Sequence, residues 1–457
     1  MSESLQSLDR CFHGIVPSFI ATCGKDGEPN VTYLSQIHYL DEKHVALSCQ
    51  FFNKTKRNVS ENPYATVVFY DPVSFETWRL RLCFQHSETA GPLFDTMAMR
   101  IQVIASHTGM AGVFRLISAD VYEVLSLEKI AGFLVPADPG VPADVPAGGP
   151  LTELRGLQTV SERIARATDL DALLGSALTT LDELLGFAHS MLLVHEENCG
   201  RLVTIASRGY GAQGIGAEVR IGEGLIGTVG EKRRMLRVSG VHQDLLYGRA
   251  IRGRIAESGE CARLAPEIPL PGLPDAQAQL ALPLLVGERL VGVLAVESRD
   301  PLCFDEWDEA FLHIVANQIA LGIDRMQSED EEAAAAEPAR ATEAPPSPAP
   351  GRRRTFAFYK NDDCVFVDDE YLVRNVPGKI LWKLLRMRKE SGRSEFSNRE
   401  LRLDPWLGLP PIKDNLESRL ILLRKRLVEK CPDVKLVPIS RGRFQLQLEC
   451  SAELVER

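Results

Sequence analysis

Two segments of biased composition divide this chain and most restrict how it can fold. The first, residues 134–150, holds five prolines and three glycines in seventeen residues. The second, residues 328–351, is acidic and rich in alanine, and it ends in a proline-rich stretch. Segments of this composition cannot bury enough apolar surface to form a core. The sequence therefore predicts two linkers and three domains, at residues 1–133, 151–327 and 352–450.

Composition places the chain among ordinary globular proteins. Of its 457 residues, 45% are hydrophobic and 25% are charged, which is typical of folded domains. No apolar run approaches the roughly 18 residues of a membrane span, and the N-terminus lacks a charged-then-apolar leader. We therefore expect no membrane partner and a cytoplasmic location. The ten cysteines include no CxxC pair, which argues against a zinc ribbon or a dense disulfide framework.

Hydrophobic segments separated by short Gly/Asp turns fill the first domain, and they predict an antiparallel β-barrel. Three cations follow one predicted strand, in the segment Lys54-Thr55-Lys56-Arg57. Cations and backbone amides at such a position can clamp a phosphate group. The alternative is that these four residues form a solvated turn.

The segments SFIATCGKDGEPNVTYLSQ and NKTKRNVSENPYATVVFYD resemble the pyridoxamine 5'-phosphate oxidase-like split barrel. Members of that family bind FMN across a dimer interface. The resemblance implies that Lys54, Thr55, Lys56 and Arg57 lie near a flavin phosphate. The family's closing segment, R-L-x-P followed by E-F-W-Q-G, is absent, so we expect a barrel that holds a cofactor or is vestigial, and not a pyridoxamine oxidase.

Strands alternate with flanking helices in the second domain, a pattern that predicts an α+β sheet. The segment IGEGLIGTVGEKRRMLRV and the later LALPLLVGERLVGVLAVES are closely similar to the GAF family. That resemblance implies a module that binds a small molecule and forms a homodimer, without naming the ligand. An insertion at residues 240–279 lies where GAF pockets usually have a short lid, so we expect it to contact a ligand or partner.

Three cysteines of the second domain fall in turn-like segments, namely Cys199, Cys261 and Cys303. If they converged, they would offer thiolate ligands for iron or an iron–sulfur cluster. Isolated thiols are the alternative, because cysteines without close spacing usually serve packing. Haem is a further alternative for this domain, with His189 and His195 more often core or surface residues than ligands.

Basic charge is concentrated in the third domain. From residue 351 onward the chain carries 23 Lys and Arg against 16 Asp and Glu, an excess of seven, although its overall net charge is −10. Apolar Leu416, Leu420, Leu423 and Leu427 recur at helical spacing, with cations off that face. Extended segments follow on either side of Arg441-Gly442-Arg443. A basic helix followed by a β-ribbon is suited to DNA.

The segment LESRLILLRKRL resembles the recognition helix of the winged-helix output domains of response regulators, whose pattern is V-D-x-H-I-x-x-L-R-K-K-L. A groove-entering helix contacts bases mainly with its first turns. The predicted base-contacting residues are therefore Lys413, Asn415, Ser418 and Arg419. The predicted phosphate-contacting residues are Lys425, Arg426, Arg441 and Arg443.

The sequence thus predicts a multidomain protein: a β split barrel, then an α+β GAF domain, then a winged helix-turn-helix. We interpret it as a homodimeric one-component transcriptional regulator that senses a small molecule or redox cofactor and binds double-stranded DNA. An FMN-dependent oxidoreductase with regulatory domains is one alternative. A scaffold whose third domain docks a protein is another. Catalytic residues are not predicted.

Overall fold

The computed structural model of the chain describes residues 4–50, 54–131, 150–210, 214–257, 264–265, 267, 272–336, 353–409, 416–440 and 442–457. These residues form three domains, each with a sheet and its own apolar core. Within them, no helix is long and apolar enough to cross a membrane.

The N-terminal domain is an antiparallel sheet that curls into a barrel. Its seven described strands pair in the order β2-β1-β5-β6-β7-β4-β3. They are β1 (Ser18–Cys23), β2 (Pro29–Leu34), β3 (Ile37–Asp41), β4 (His44–Cys49), β5 (Tyr64–Tyr70), β6 (Thr77–Glu88) and β7 (Ser118–Ile130). A 3-10 helix at Gln6–His13, α1 (Lys54–Glu61) and α2 (Pro92–His107) accompany them.

The central domain has an antiparallel sheet in the order β10-β9-β8-β13-β12-β11, with helices packed against it. Its elements are α3 (Pro150–Arg166), α4 (Leu170–Leu185), β8 (His189–Glu196), β9 (Arg201–Arg208), β10 (Glu218–Arg220), α5 (Gly224–Lys232), β11 (Leu236–Ser239), α6 (Val241–Glu257), β12 (Ala278–Val286), β13 (Arg289–Ser298) and α7 (Glu306–Ala336). Asp169 starts α4 by accepting a hydrogen bond from the backbone N–H of Ala172.

Two helical glycines of the central domain have opposite roles. A Cβ at Gly227 in α5 would lie 2.1 Å from the carbonyl oxygen of Arg220, whereas Gly175 in α4 has open space around it. We expect Gly227→Ala to lower the free energy of unfolding by about 2–3 kcal/mol through overpacking. Gly175→Ala should raise it by about 0.5–1 kcal/mol, because alanine is the better helix former. Urea unfolding of both variants tests this, and equal effects would contradict it.

The C-terminal domain contains two small sheets and three helices among its described residues. One sheet has the order β16-β15-β14-β20 and the other β17-β19-β18. The elements are β14 (Arg353–Tyr359), β15 (Cys364–Val367), β16 (Glu370–Val373), α8 (Asn375–Ser391), β17 (Glu395–Ser397), α9 (Asn398–Arg402), α10 (Leu416–Lys430), β18 (Val434–Ser440), β19 (Arg443–Leu448) and β20 (Ser451–Glu456).

Two domain ends differ from the predicted boundaries. Helix α7 continues to Ala336 and so includes the first nine residues, 328–336, of the predicted second linker. Alanine and glutamate are strong helix formers, so this acidic segment extends a helix that already exists. Strand β20 lies beyond residue 450 and pairs in parallel with β14. The C-terminal domain therefore includes the last residues of the chain.

A buried ion pair joins the barrel to the central domain. The guanidinium of Arg100 on α2 lies 2.9 Å from the carboxylate of Asp244 on α6, and both side chains are about one-tenth exposed. Arg100 also donates hydrogen bonds to the carbonyl oxygens of His13 (2.9 Å) and Ser239 (3.3 Å). Because one side chain links three segments, helix α6 is held in a fixed position beside the barrel.

Candidate functional site

A cavity of about 780 Å³ lies between the barrel and helix α6. Barrel strands β2, β3 and β4 supply one wall, and α6, which belongs to the predicted insertion, supplies the facing wall. Polar or charged liners include Ser35, Gln36, Gln50, Lys56 and Arg254, among many apolar side chains. This size and mixture are typical of sites for small organic molecules.

The predicted phosphate-clamping segment forms the start of α1, and only part of it faces the cavity. Thr55 and Lys56 line it, whereas Lys54 and Arg57 do not. Lys54 instead pairs with Glu28 at 2.5 Å, and Arg57 is exposed. The Thr55 hydroxyl accepts a hydrogen bond from the Asn30 amide at 3.0 Å. The structure thus brings two of the four predicted residues to the cavity.

The Lys56 ammonium is already paired inside the protein. It lies 2.6 and 2.7 Å from the two carboxylate oxygens of Asp120, and it donates to the Ser87 hydroxyl at 2.7 Å. The Asp120 side chain is only 6% exposed, so water screens this pair weakly. An incoming phosphate would therefore meet a cation whose charge a neighbouring carboxylate already offsets.

Two groups of the cavity can bind a ligand without breaking an existing ion pair. The side-chain oxygen of Gln36 is buried and has no hydrogen-bond partner among the described residues. Arg254 on α6 lines the cavity and is exposed, and within the described ranges no carboxylate is paired with it. Beside it, burial raises the pKa of Tyr247 and keeps its hydroxyl protonated, although a hydrogen bond with Ser35 opposes that rise.

The predicted cysteine site is not formed by the described residues. Cys199 is exposed in the β8–β9 hairpin, and Cys261 lies outside the described residues. Burial raises the pKa of Cys303 to about 12, which disfavours the thiolate that metal binding requires. In the part of the chain that the structure describes, no group of three or more His, Cys, Asp or Glu side chains is placed to hold a metal ion.

Helix α10, the predicted recognition helix, is buried on two faces. Its predicted stripe of leucines, including Leu416 and Leu423, packs in the core of the C-terminal domain. Ile421, only 1% exposed, lies instead in the core cluster of the central domain. A surface helix normally buries one apolar stripe. The second buried face exists because α10 packs against α4 and β9 of the central domain.

An ion pair across this interface buries Arg419, one of the predicted base-contacting residues. Arg419 Nε donates to Glu196 Oε1 at the end of β8, with a separation of 3.2 Å, and the two side chains are 5% and 10% exposed. Ser418 is also buried. Neither residue can contact bases in this arrangement, contrary to the sequence-based expectation. Lys413 and Asn415 lie outside the described residues.

The predicted phosphate-contacting residues lie around the rim of the same interface. Lys425 bonds the carbonyl oxygen of Ile205 at 3.0 Å and lies 2.9 Å from the Asp171 carboxylate. Arg426 and Arg443 are partly exposed and pair with acids of their own domain. Arg441 lies outside the described residues.

Acidic residues of the central domain hold the C-terminal domain, and sequence reasoning missed them. Besides Glu196 and Asp171, Glu218 accepts two hydrogen bonds from Arg374, at 2.6 and 2.9 Å. Burial raises the pKa of Glu218, but the hydrogen bonds from Arg374 and Arg201 outweigh it and hold the pKa below its ordinary value. No motif marks these acids, because their partners are more than 150 residues away.

A second cavity, of about 550 Å³, lies in this interface. The start of α4 and the segment Met326–Gln327 of α7 line one side, and α9, α10 and the β18–β19 hairpin line the other. The buried hydroxyl of Ser418 and the side-chain oxygen of Asn398 have no hydrogen-bond partner among the described residues. The interface is therefore incompletely packed and polar near the hairpin.

Comparisons with known families identify two of the three domains. Residues 7–105 match the family model "Pyridoxamine 5'-phosphate oxidase", and residues 167–324 match the model "GAF domain". Both sequence-based identifications are thereby confirmed. No curated protein matches the chain. The predicted DNA-binding identity of the third domain stays a prediction.

Three solved structures illustrate the similarity. The GAF domain of a phosphoenolpyruvate-protein phosphotransferase from Coxiella burnetii is 22% identical, covers 40% of this chain and 98% of its own, and has a TM-score of 0.32. Free methionine-R-sulfoxide reductase from Neisseria meningitidis is 18% identical, with coverages of 40% and 96% and a TM-score of 0.32. An FMN-binding protein from Syntrophomonas wolfei is 15% identical, with coverages of 28% and 89% and a TM-score of 0.23.

Proposed function

We propose that this chain is a ligand-responsive, DNA-binding transcriptional regulator whose GAF domain holds the DNA-reading helix in a closed arrangement. The observation that carries the proposal is the burial of α10, a basic helix of the basic domain, against the GAF domain through the Arg419–Glu196 pair. The GAF domain covers a cationic face of α10 in this arrangement. We expect DNA to bind the same face when the GAF domain releases it.

The element order of the C-terminal domain supports DNA binding. Helix α8, strand β17, helices α9 and α10, and the β18–β19 hairpin follow one another as the parts of a winged helix do. The hairpin, which bears Arg443, would then be the wing, and α10 would enter the major groove. The excess of seven positive charges in this domain favours the same partner.

The barrel cavity supports a sensory role, and its residues fit a flavin mononucleotide. The unpartnered Gln36 oxygen can accept from a ring N–H, and Arg254 offers the cavity a cation that no carboxylate of the described residues offsets. A bound flavin would supply redox chemistry. The chain's own residues would orient it, and α6 would exclude water from one face of the cavity.

Binding of duplex DNA by the C-terminal fragment and by the full chain tests the proposal. Residues 353–457 have their own core, so the fragment should fold, and it should bind DNA more tightly than the full chain does. The reason is that the apparent affinity decreases in proportion to the fraction of molecules in which α10 is accessible. That fraction is smaller in the full chain, where the GAF domain covers α10. A folded fragment that binds no DNA would overturn the DNA-binding proposal and would favour the alternative in which the C-terminal domain docks a protein.

A substitution in the fragment separates phosphate contact from other effects. Arg426→Ala should flatten the slope of log K against log salt by about one, because one phosphate contact is lost. Arg386→Ala removes the same charge from the exposed face of α8, where Arg386 pairs with Glu390, and should leave the slope unchanged. Equal slopes for the two variants would contradict the assignment of α10 to DNA.

A further inference from the structure

We propose that helix α6 of the GAF insertion completes the barrel's ligand site within one chain, and that Arg254 on α6 binds the anionic group of a flavin-type ligand. This rests on the proposed sensory role of the barrel and deepens it. The split-barrel family binds FMN across a dimer interface, whereas here the wall facing strands β2–β4 belongs to the same chain. Two facing walls of the cavity therefore come from one chain.

Charge compensation distinguishes Arg254 from the other cations near the cavity. Lys56 is neutralised by Asp120, and Lys54 by Glu28, at distances of 2.5–2.7 Å. Arg254 lines the cavity with no such partner in the described ranges. A guanidinium binds a phosphate through two parallel hydrogen bonds, and here it would not have to give up a carboxylate first. The ligand's anionic group thus has its most accessible cation on α6.

The remaining lining fits a planar heteroaromatic ring. Tyr247 lies one to two turns before Arg254 on α6, and its ring packs edge-on against Phe114 with a centroid distance of 6.2 Å. Opposite, the unpartnered Gln36 oxygen offers an acceptor to a ring N–H. Apolar side chains such as Leu34 and Ile251 surround these polar groups. An aromatic ring with one polar edge and a charged tail satisfies all three features.

A ligand in the cavity would contact the helix that joins the barrel to the GAF domain. Asp244, one turn before Tyr247, forms the buried pair with Arg100 that joins the two domains. A ligand that binds Arg254 and Tyr247 therefore contacts the helix on which the barrel and the GAF domain meet. Ligand binding in the barrel would thereby act directly on the joint between the barrel and the GAF domain.

Flavin titration of the full chain tests the inference, with quenching of flavin fluorescence as the readout. The variants are Arg254→Ala and, as a matched control on the same helix, Arg249→Ala, whose side chain pairs with Glu267 and does not line the cavity. Arg254→Ala should weaken FMN binding by about tenfold or more, because a charge-assisted hydrogen bond is lost. Riboflavin, which lacks the phosphate, should bind both variants as it binds the unmodified chain.

Each outcome decides a different point. If the unmodified chain binds FMN and Arg254→Ala binds it equally well, the role of α6 is overturned while the sensory proposal stands. If the chain binds neither FMN nor riboflavin, the flavin site itself is overturned, and DNA binding is unaffected. Equal weakening by Arg249→Ala would show a general charge effect and would also overturn the inference. One FMN per chain, with an affinity independent of protein concentration, would support closure within one chain.

Discussion

Replacing Glu196 with lysine is expected to raise the affinity of the full chain for duplex DNA by about 100-fold or more. Removing one partner of a buried ion pair costs roughly 3–5 kcal/mol. Here the loss destabilises the arrangement in which α10 is docked on the GAF domain. Each 1.4 kcal/mol changes the equilibrium between docked and undocked α10 about tenfold. The apparent affinity for DNA therefore rises with the fraction of molecules in which α10 is undocked, until most molecules are in that state. Fluorescence anisotropy with a labelled duplex measures the change.

A matched substitution controls for added positive charge. Asp275→Lys makes the same charge change at an exposed GAF residue that pairs with Arg299, away from the interface, and should leave DNA affinity nearly unchanged. Asp171→Lys, at a half-exposed site facing Lys425, should act like Glu196→Lys but more weakly. If Glu196→Lys is folded and binds DNA no better than Asp275→Lys does, the proposed closed arrangement is wrong.

Loss of Arg100 should be the most destabilising change at the joint between the barrel and the GAF domain. Arg100→Met leaves the buried Asp244 carboxylate without its cation, and we expect the free energy of unfolding to fall by about 3–5 kcal/mol. Urea unfolding followed by tryptophan fluorescence measures it. The double change Arg100→Met with Asp244→Leu should recover most of the loss, because no unpaired charge remains. A double variant as unstable as the single one would contradict this explanation.

The loss in free energy of unfolding caused by Arg100→Met, its stability deficit, should depend on pH in a defined direction. Burial raises the pKa of Asp244 above its ordinary value, and the Arg100 charge opposes that rise. Without Arg100 the folded-state pKa rises further above the unfolded value. Such an acid penalises folding above its folded-state pKa, and the penalty disappears as the carboxyl group protonates. The deficit should therefore shrink as the pH falls from neutral toward the ordinary pKa of an aspartate, about 3.9.

Local patterns predicted the elements and the two identified domains well. Helix α4 (Leu170–Leu185) follows an Asp169 cap and carries an apolar stripe, and both of these are local signals. The insertion at 240–279 was expected to contact a ligand or partner, but its helix and its position on the barrel were not foreseen. Helix α6 makes its main contacts with α2, which lies more than 100 residues earlier.

Among the site residues, those marked by a local sequence pattern were predicted, and their partners from distant strands were not. Thr55 and Lys56 were found from a local run of cations, and they do line the cavity. Asp120, which neutralises Lys56, and Glu196, which buries Arg419, carry no local signal, because each partner comes from a distant strand. A sequence read in isolation therefore identified the cations and overestimated how many of them are available to a ligand or to DNA.

The salt dependence of DNA binding by the full chain, unmodified and with Glu196→Lys, tests the central proposal most directly. On one duplex, we predict that log K for Glu196→Lys falls linearly with log salt, with a slope of about −0.9 for each phosphate contacted. The unmodified chain should bind far more weakly at every salt concentration. Slopes near zero for both chains would contradict DNA binding, and equal affinities for both would contradict the closed arrangement.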